Sequence, residues 1–215
     1  MAFELPPIPP RQFAEEIARR SPEPLGPPAV EALFLHYEEL RRWNRRTNLI
    51  GPGTAGEILD RHYGESLAAL PLLPSGARQG LDLGSGAGFP GLVLAAARPQ
   101  LQMTLAEARQ RKWAFLLAAA RKASLPCRCL NVRVQVPLPA GLPESIDTLT
   151  SRALRLDEET WRALANRLSE EGRILLWAGE RDPELPPELV ADGAVKLAGS
   201  DRRRILALRR APRSR

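Results

Sequence analysis

Cysteine is scarce in this chain, and the two cysteines that occur exclude the sites that cysteine most often builds. Cys127 and Cys129 are separated by one residue, so on a strand their side chains point to the same face. This spacing fits neither a zinc motif nor a disulfide between the two residues. We therefore interpret both as buried strand residues and predict no metal site.

Long apolar runs and an export signal are also missing. No apolar stretch approaches the roughly 20 residues that a membrane-spanning helix needs. The first residues, Met-Ala-Phe-Glu-Leu-Pro-Pro, lack the basic region and apolar core of an export signal. We therefore expect a cytoplasmic protein with no membrane partner.

Lysine is rare as well, whereas arginine is abundant. The 215 residues include 31 basic and 25 acidic side chains, which gives a net charge of +6, and only three of the basic residues are lysines. A basic surplus favours an anionic partner such as nucleic acid. Arginine richness can also reflect genome composition, so charge alone leaves RNA binding and a solvated basic surface both open.

One glycine-rich stretch organises the chain: Leu81-Asp-Leu-Gly-Ser-Gly-Ala-Gly-Phe-Pro-Gly91. Its three alternate glycines, Gly84, Gly86 and Gly88, tolerate positive φ and let a ligand lie against the backbone. The proline that follows suits the first turn of a helix, where its missing N–H is no loss. The stretch therefore predicts a strand, a tight turn and a helix N-terminus.

Two cofactor classes use such a loop. The spacing Gly86-x-Gly88-x-x-Gly91 fits the dinucleotide fingerprint, in which a helix N-terminus receives a pyrophosphate. Asp82, just before the first glycine, would repel a pyrophosphate but can hold the cationic amine of S-adenosylmethionine. Glu107, after the strand-like segment 102–106, can accept both ribose hydroxyls, which either cofactor offers. A glycine-rich turn without a ligand is the remaining interpretation.

The order of the predicted elements favours S-adenosylmethionine. We predict an N-terminal helical extension over 1–75, with helices near 12–20, 30–49 and 55–70, then a domain over 76–210 and a basic tail over 211–215. Strands are predicted near 80–84, 102–106, 128–134, 146–150 and 173–178, and helices near 90–97, 109–123 and 157–170. This alternation is typical of a parallel doubly wound sheet. The antiparallel hairpin predicted over 195–208 is characteristic of class I methyltransferases, a Rossmann-like α/β fold, and is unusual in dehydrogenases.

Arginines form the candidate RNA-binding surface. Four of them flank Trp43 at the basic end of the predicted helix 30–49, and others follow the last turn and fill the tail. They offer cations and a stacking ring to RNA; the alternative is a solvated helix face with Trp43 in the core. The candidates are Arg41, Arg42, Arg45, Arg46, Arg203 and Arg204.

On these residues, the chain resembles the RsmG/GidB family over roughly 30–208. That family comprises bacterial methyltransferases that modify N7 of a guanine in 16S ribosomal RNA. The stretch from Asp82 to Gly91 is the most specific match, because Phe89-Pro90-Gly91 is not general to methyltransferases. Shorter matches are Trp43-Asn44 with Asn48-Leu49, Arg61-His62 with Glu65-Ser66-Leu67, Ser151-Arg152-Ala153, and Arg203 or Arg204.

The resemblance implies a cofactor site and marks three departures from the family pattern. The implied S-adenosylmethionine site comprises Asp82, Gly84, Gly86, Gly88, Phe89, Glu107, Val134, Gln135 and Arg152. Arg133-Val-Gln135 stands where the family has Arg-Ala-Glu by the adenine edge, so an amide oxygen replaces the acid as the acceptor for adenine. Ala178-Gly179 replaces the family's Lys-Gly, and Glu65, after Gly64, replaces an aspartate.

Guanine N7 carries a free lone pair and loses no proton before it attacks a methyl group. A general base is then unnecessary, and the enzyme contributes by holding N7 in line with the methyl group and sulfur. The chain has no Asn-Pro-Pro-Tyr for an exocyclic amine. Pro126-Cys127 has the form of a cytosine-C5 nucleophile but stands at the start of a predicted strand.

Arg152, just past the predicted fourth strand, is the catalytic candidate. Its guanidinium group can donate two hydrogen bonds to a phosphate or to the guanine edge. Its alternative role is a surface ion pair. We expect a monomer that acts on ribosomal RNA or the small ribosomal subunit. Two other functions stay open: a non-catalytic RNA-binding or assembly protein, and a methyltransferase with a different substrate.

Overall fold

One sheet of seven strands lies at the centre of the computed structural model, which describes residues 4–152, 156–179 and 185–211. The strands are β1 Gln79–Leu83, β2 Gln102–Ala106, β3 Arg128–Leu130, β4 Ile146–Arg152, β5 Leu168–Ala178, β6 Leu189–Lys196 and β7 Arg204–Arg210. Their order is β3-β2-β1-β4-β5-β7-β6. The first five are parallel, whereas β7 is antiparallel to both β5 and β6. The predicted doubly wound sheet with a terminal hairpin is confirmed.

The strand order reverses between β1 and β4, which are neighbours in the sheet. The chain runs outward from β1 to β3 and then crosses back to β4. In doubly wound sheets, ligands bind in the crevice outside the carboxyl ends of the strands at such a switch point. The glycine-rich stretch follows β1 and Arg152 ends β4, so both lie at this edge of the sheet.

Several helices begin at prolines, as their fixed φ favours at a first turn. The helices are α1 Pro10–Arg20, α2 Pro27–Thr47, α3 Pro52–Ala55, α4 Glu65–Leu67, α5 Gly91–Ala97, α6 Gln110–Lys122 and α7 Glu158–Ala165. The prediction of one continuous helix over 55–70 is wrong. Instead, α3 is followed by a π-helical turn at Leu59–Gly64, then by α4 and a 3₁₀ turn at Leu70–Leu72. Pro71 lacks the N–H that a continuous helix would need there.

Several predicted boundaries are also wrong, including the start of the terminal hairpin, where β6 begins at Leu189 rather than 195. β3 ends at Leu130 rather than near 134, because the following Asn131 turns its side chain onto the carbonyls of Glu107 and Ala108. β5 begins at Leu168 rather than 173, so α7 ends at Ala165. The early start of β5 depends on Gly172, since a Cβ there would lie 2.7 Å from the carbonyl oxygen of Ile146.

The sheet is covered on both faces, and the N-terminal helices lie on the same face as α5 and α6. Their side chains share one hydrophobic core with those two helices. Phe13 of α1 stacks on Tyr37 of α2 at 5.4 Å and meets Tyr63 edge-on at 5.5 Å. A second core, which includes Leu81 and Leu83, lies under α7. Among the described helices, none has the length and apolarity that a membrane crossing requires.

Candidate functional site

The glycine loop between β1 and α5 takes the conformation that its sequence predicts. Gly84, Gly86 and Gly88 have φ values of 68°, 55° and 85°, a region that other residues rarely adopt. A Cβ on Gly88 would also lie 2.5 Å from the Leu92 side chain. The backbone N–H of Gly84 donates to the Ala106 carbonyl at 2.8 Å, which ties the loop to the end of β2.

Asp82 lies beneath this loop rather than on its surface. Its side chain is 0% exposed, and Oδ1 accepts a hydrogen bond from the Thr150 hydroxyl at 2.7 Å. Oδ2 has no hydrogen-bond partner among the described residues. Burial raises the pKa of Asp82 to about 6 despite the Thr150 hydrogen bond. The site therefore holds a fully buried acid whose Oδ2 lies against the first residue of α5.

Gly91, the first residue of α5, lets that helix approach the acid closely. A Cβ on Gly91 would lie 2.7 Å from Oδ2 of Asp82 and 2.4 Å from the Leu105 side chain. Both distances are far shorter than any real carbon contact, so a larger residue would push α5 away from the strands. The last glycine of the motif is thus required for packing rather than for backbone conformation.

Glu107 closes the other side of the loop. Its buried carboxylate accepts hydrogen bonds from the backbone N–H of Gly86 at 3.0 Å and of Arg109 at 2.8 Å. A carboxylate has about four lone-pair positions, so two remain for ribose hydroxyls. Asn131 donates to the Glu107 carbonyl at 2.9 Å and fixes the chain here. Sequence reasoning missed Asn131, although an asparagine directly after a strand at this edge is a usable signal.

Val134 and Gln135 follow β3 in a segment without regular structure. Val134 is buried in the core under α7, whereas Gln135 is exposed. The buried valine anchors the segment, and the amide of the neighbouring Gln135 stays accessible to a ligand. Both residues lie beyond the carboxyl end of β3, at the same edge of the sheet as the glycine loop.

Phe89 joins the glycine loop to the N-terminal helices. Its ring is buried, with its centroid 5.2 Å from His36, 5.0 Å from Tyr63 and 5.0 Å from His62. Edge-to-face pairs of this kind stabilise beyond the area that they bury. Phe89 therefore points into the protein and holds the loop in place, and any contribution to a cofactor site comes through its backbone.

His36 reinforces the same junction with hydrogen bonds. Its Nε2 donates to the Ala87 carbonyl at 2.9 Å, which leaves Nδ1 to accept from the Tyr63 hydroxyl at 2.8 Å. Burial lowers the pKa of His36 to about 4, so the ring is neutral at physiological pH. Sequence reasoning missed this residue. Its position between Leu33 and Leu40 on the apolar face of a predicted helix was the available signal.

Arg152 lies in a cluster of three arginines around one buried acid. Its Nη2 donates to Oε2 of Glu65 at 2.9 Å and to the Arg61 carbonyl at 2.8 Å. Arg61 and Arg203 both pair with the other oxygen of Glu65. Burial and the neighbouring Arg61 lower the pKa of Arg152 to about 10, so it stays charged at neutral pH. Residues from three separate matches to the family pattern, at 61–67, 151–153 and 203, are therefore in contact with one another.

His62 lies beside this cluster and is neutral. Burial lowers its pKa to about 3, and the charges of Arg152 and Arg61 contribute to the shift. Its Nε2 lies 3.0 Å from the Thr54 hydroxyl. The histidine therefore packs and hydrogen-bonds locally, in agreement with a structural role.

The arginines at the end of α2 do not share one ion-pair partner. Arg41 pairs with Glu38 at 2.8 Å and Arg42 with Glu39 at 2.5 Å; Arg45 lies 3.7 Å from Glu4, and Arg46 is exposed. Trp43 is half-buried, donates to Glu39 at 2.7 Å and meets Phe115 edge-on, so its ring packs against the core. On β7, Arg204 donates to the Gly179 carbonyl at 3.3 Å. Ala153 and the tail arginines lie outside the described residues.

The two cysteines are half-buried rather than fully buried, and Cys127 lies just before β3. Burial raises the pKa of Cys127 to about 12 and that of Cys129 to about 11. A thiol that stays protonated is a poor nucleophile. Within the described ranges, no three His, Cys, Asp or Glu side chains are grouped to hold a metal ion.

Comparison with known proteins identifies the family to which this arrangement is similar. The model of the family GidB, described as rRNA small subunit methyltransferase G, matches residues 29–190. The protein named ribosomal RNA small subunit methyltransferase G in Anaeromyxobacter sp. (strain Fw109-5) is 38% identical over 174 residues, which cover 80% of this chain and 79% of that protein. Its namesake in Desulfotalea psychrophila is 41% identical over 134 residues, which cover 60% of each chain.

Solved structures show the same fold at much lower identity. A mutant of MtNAS in complex with S-adenosylmethionine gives a TM-score of 0.57 at 14% identity, covering 94% of this chain and 78% of that chain. The mitomycin 7-O-methyltransferase MmcR gives a TM-score of 0.54 at 17% identity, covering 95% of this chain and 74% of that chain. At these identities the likeness concerns the fold alone.

Proposed function

Since the chain belongs to the GidB family, rRNA small subunit methyltransferase G, we propose that it transfers a methyl group from S-adenosylmethionine to N7 of a guanine in 16S ribosomal RNA. The observation that carries the proposal is the loop from Asp82 to Gly91. This loop lies at the switch point of the sheet and within the stretch that matches the family model.

The residues around the loop fit S-adenosylmethionine. Oδ2 of Asp82 is buried without a hydrogen-bond partner among the described residues, and a nearby cation would offset the cost of burying its charge. The cofactor's amine is such a cation. The glycine loop exposes backbone without side chains, and Glu107 keeps acceptor positions for two ribose hydroxyls. When bound, the cofactor supplies an electrophilic methyl group on a sulfonium.

Gln135 is the residue that we assign to the adenine edge. Val134 anchors the segment in the core, while the exposed amide oxygen of Gln135 can accept from the exocyclic amine. The backbone N–H of either residue can donate to a ring nitrogen. An amide oxygen makes a weaker hydrogen bond than a carboxylate, so we expect adenine to bind here somewhat more weakly than in relatives with an acid.

The chemistry that we propose needs orientation and no general base. Guanine N7 attacks with its own lone pair, so no proton has to be removed before transfer. Both histidines near the loop are neutral, with pKa values lowered by burial to about 4 for His36 and about 3 for His62. Arg152 is charged and rigidly held, which suits it to orient the guanine or a neighbouring phosphate.

The partner that we propose is ribosomal RNA or the small ribosomal subunit, which the protein meets as a monomer in the cytoplasm. Arg46 and the partly paired arginines of α2 offer positive charge to its phosphates. Arg203 and Arg204, just before and at the start of β7, offer further positive charge. Because several of these arginines are already ion-paired, RNA binding requires that the phosphates replace internal carboxylates.

A transfer assay tests this function. The purified chain is incubated with methyl-labelled S-adenosylmethionine and either 16S or 23S ribosomal RNA, as free RNA and as assembled subunits. We expect label in 16S RNA only. If the cofactor binds but no RNA is labelled, the non-catalytic alternative is correct; label in a protein or small molecule would support a different substrate.

A further inference from the structure

A charged cavity of about 770 Å³ lies between α1, the π-helical turn and the connection from β6 to β7. Lys196 to Gly199 form one wall, and Arg19, Arg20 and Arg61 reach it from the helices. Glu65, only 6% exposed, and Arg203 line the most buried part of the cavity, which we call its inner end. Both belong to the arginine cluster described above. No residue of the glycine loop lines the cavity.

The acids at the outer end of the cavity already have partners. Glu16 pairs with both Arg19 and Arg20, and Asp60 accepts two hydrogen bonds from Arg20, at 2.8 and 3.0 Å. Both acids are therefore already paired with arginines of α1. These acids are not free to neutralise the deeper arginines.

The inner end carries a surplus of positive charge. Among the described side chains, Arg61, Arg152 and Arg203 share the carboxylate of Glu65, which is only 6% exposed, so these three cations and one anion sum to two positive charges. Arg61 and Arg203 line the cavity themselves, whereas Arg152 is connected to it through Glu65. Glu57, 3.7 Å from Arg61, is 63% exposed, and such a pair contributes little. Nη1 of Arg152 is buried without a hydrogen-bond partner among the described residues. Guanidinium groups have five N–H donors each, so the cluster has donors left for an anion.

Burial and repulsion within the cluster lower the pKa values of two of its arginines. Burial and the charge of Arg61 lower the pKa of Arg203, and the same two causes lower that of Arg152. Like charges that repel one another in a half-buried site are stabilised when a second anion binds. A phosphate has the negative charge and the oxygen atoms to accept two parallel hydrogen bonds from a guanidinium group.

We propose that the inner end of this cavity binds a backbone phosphate of the RNA substrate, and that Glu65 occupies the same arginines until the phosphate replaces it. The proposal rests on the proposed function for the identity of the ligand, and on the cavity geometry for the site. Glu65 is the chain's departure from the family's aspartate. Its longer side chain reaches Arg61, Arg152 and Arg203 at once, which makes it an internal competitor for the phosphate.

The first test uses inorganic phosphate alone, with binding to the full chain measured by calorimetry. Glu65→Gln removes the competing charge and should tighten phosphate binding about tenfold or more, whereas Arg203→Gln should weaken it by a similar factor. Arg162→Gln is the matched control, because Arg162 is an exposed arginine paired with Glu158 and Glu188 on α7. It should bind as the wild type does.

A second variant at position 65 keeps the outcome decisive. If Glu65→Gln fails to fold, Glu65→Asp retains the charge with a shorter reach and should still bind phosphate more tightly than the wild type. Equal affinity of the wild type and Arg203→Gln would place phosphate elsewhere and overturn the site. Unchanged affinity in folded Glu65 variants would overturn the competition.

A single-stranded RNA oligonucleotide identifies the ligand class, and should reproduce the same ranking of variants. If free phosphate follows the ranking but RNA affinity is identical in all variants, the assignment to an RNA phosphate is wrong. Neither measurement contains a methyl donor. A failure of methyl transfer would therefore contradict the proposed function without affecting the binding results, and the converse also holds.

Discussion

His36 donates a hydrogen bond from Nε2 to the carbonyl oxygen of Ala87 over 2.9 Å, and this bond joins helix α2 to the glycine loop. The bond fixes one tautomer, because Nδ1 must then accept from the Tyr63 hydroxyl at 2.8 Å. Phe89 packs its ring against both of these side chains. The N-terminal helices thus determine the shape of a loop that lies 51 residues further along the chain.

His36→Leu tests that coupling. The substitution leaves the Ala87 carbonyl and the Tyr63 hydroxyl buried without partners, which costs about 1–3 kcal/mol for each unsatisfied group. We expect a lower free energy of unfolding in urea and weaker S-adenosylmethionine binding by calorimetry. Tyr63→Phe is the control, since it retains the bond to Ala87 and should affect the cofactor much less. Unchanged cofactor affinity in His36→Leu would show that the loop holds its shape alone.

Gly91→Ala tests the close approach of α5 to the sheet. The added Cβ would lie 2.4 Å from the Leu105 side chain and 2.7 Å from Asp82, and overpacking of this kind costs about 1–3 kcal/mol. Thermal unfolding should therefore begin at a lower temperature. Gly53→Ala, in α3, meets nothing within 4 Å and should leave the midpoint unchanged or raised. Equal midpoints for the two variants would contradict the packing role of Gly91.

The raised pKa of Asp82 predicts that cofactor binding depends on pH. Burial raises its pKa from 3.8 to about 6, so between these values the folded protein binds more protons than the unfolded chain. Stability from this group is fully present below about pH 4 and is lost as pH rises to about 6. A cofactor amine, which stays protonated over this range, pairs only with the ionised acid. Affinity should therefore rise about tenfold per pH unit below 6 and level off above it.

Calorimetry from pH 5 to pH 7.5 measures this dependence, and Asp82→Asn is the comparison. The amide cannot ionise, so its affinity should be low and nearly constant with pH. A wild-type affinity that stays flat, or that falls as pH rises, would remove Asp82 from the cofactor site.

Gln135 tests the adenine assignment. Gln135→Glu replaces a neutral acceptor with a charged one and should tighten S-adenosylmethionine binding, whereas Gln135→Leu should weaken it by about 0.5–1.5 kcal/mol. Gln100→Glu adds the same charge at an exposed position before β2, at the opposite edge of the sheet, and should change nothing. Identical affinities in the glutamate and leucine variants at 135 would contradict the assignment.

Local sequence signals predict the parts of the fold that depend on neighbouring residues. The glycine loop, the alternation of strands and helices and the terminal hairpin each follow from a short pattern, and the structure confirms them. The end of β3 could not be predicted in this way, because it depends on Asn131 reaching Glu107 across the sheet edge. The broken helix over 55–70 also depends on tertiary packing, since Tyr63 is buried among aromatic rings and Glu65 among arginines.

The candidate site also has a part that the sequence predicts and a part that depends on tertiary packing. Asp82, the glycines and Glu107 belong to one motif and its neighbouring strand, so their proximity follows from the βαβ pattern. The bond from His36 to Ala87 and the convergence of three arginines on Glu65 join segments that are far apart in the chain. Only the packing of the N-terminal helices onto the sheet brings them together.

The central claim is methyl transfer to N7 of a guanine in 16S ribosomal RNA, and mass mapping of methylated nucleosides tests it most directly. Ribosomal RNA is compared from cells without this protein, with the wild type, and with Arg152→Lys, which keeps the charge but loses the planar fork. We predict N7-methylguanine at one position in 16S RNA with the wild type, none without the protein, and a much lower level with the folded variant. An identical methylation map with and without the protein, or a methyl group on another atom, would contradict the account.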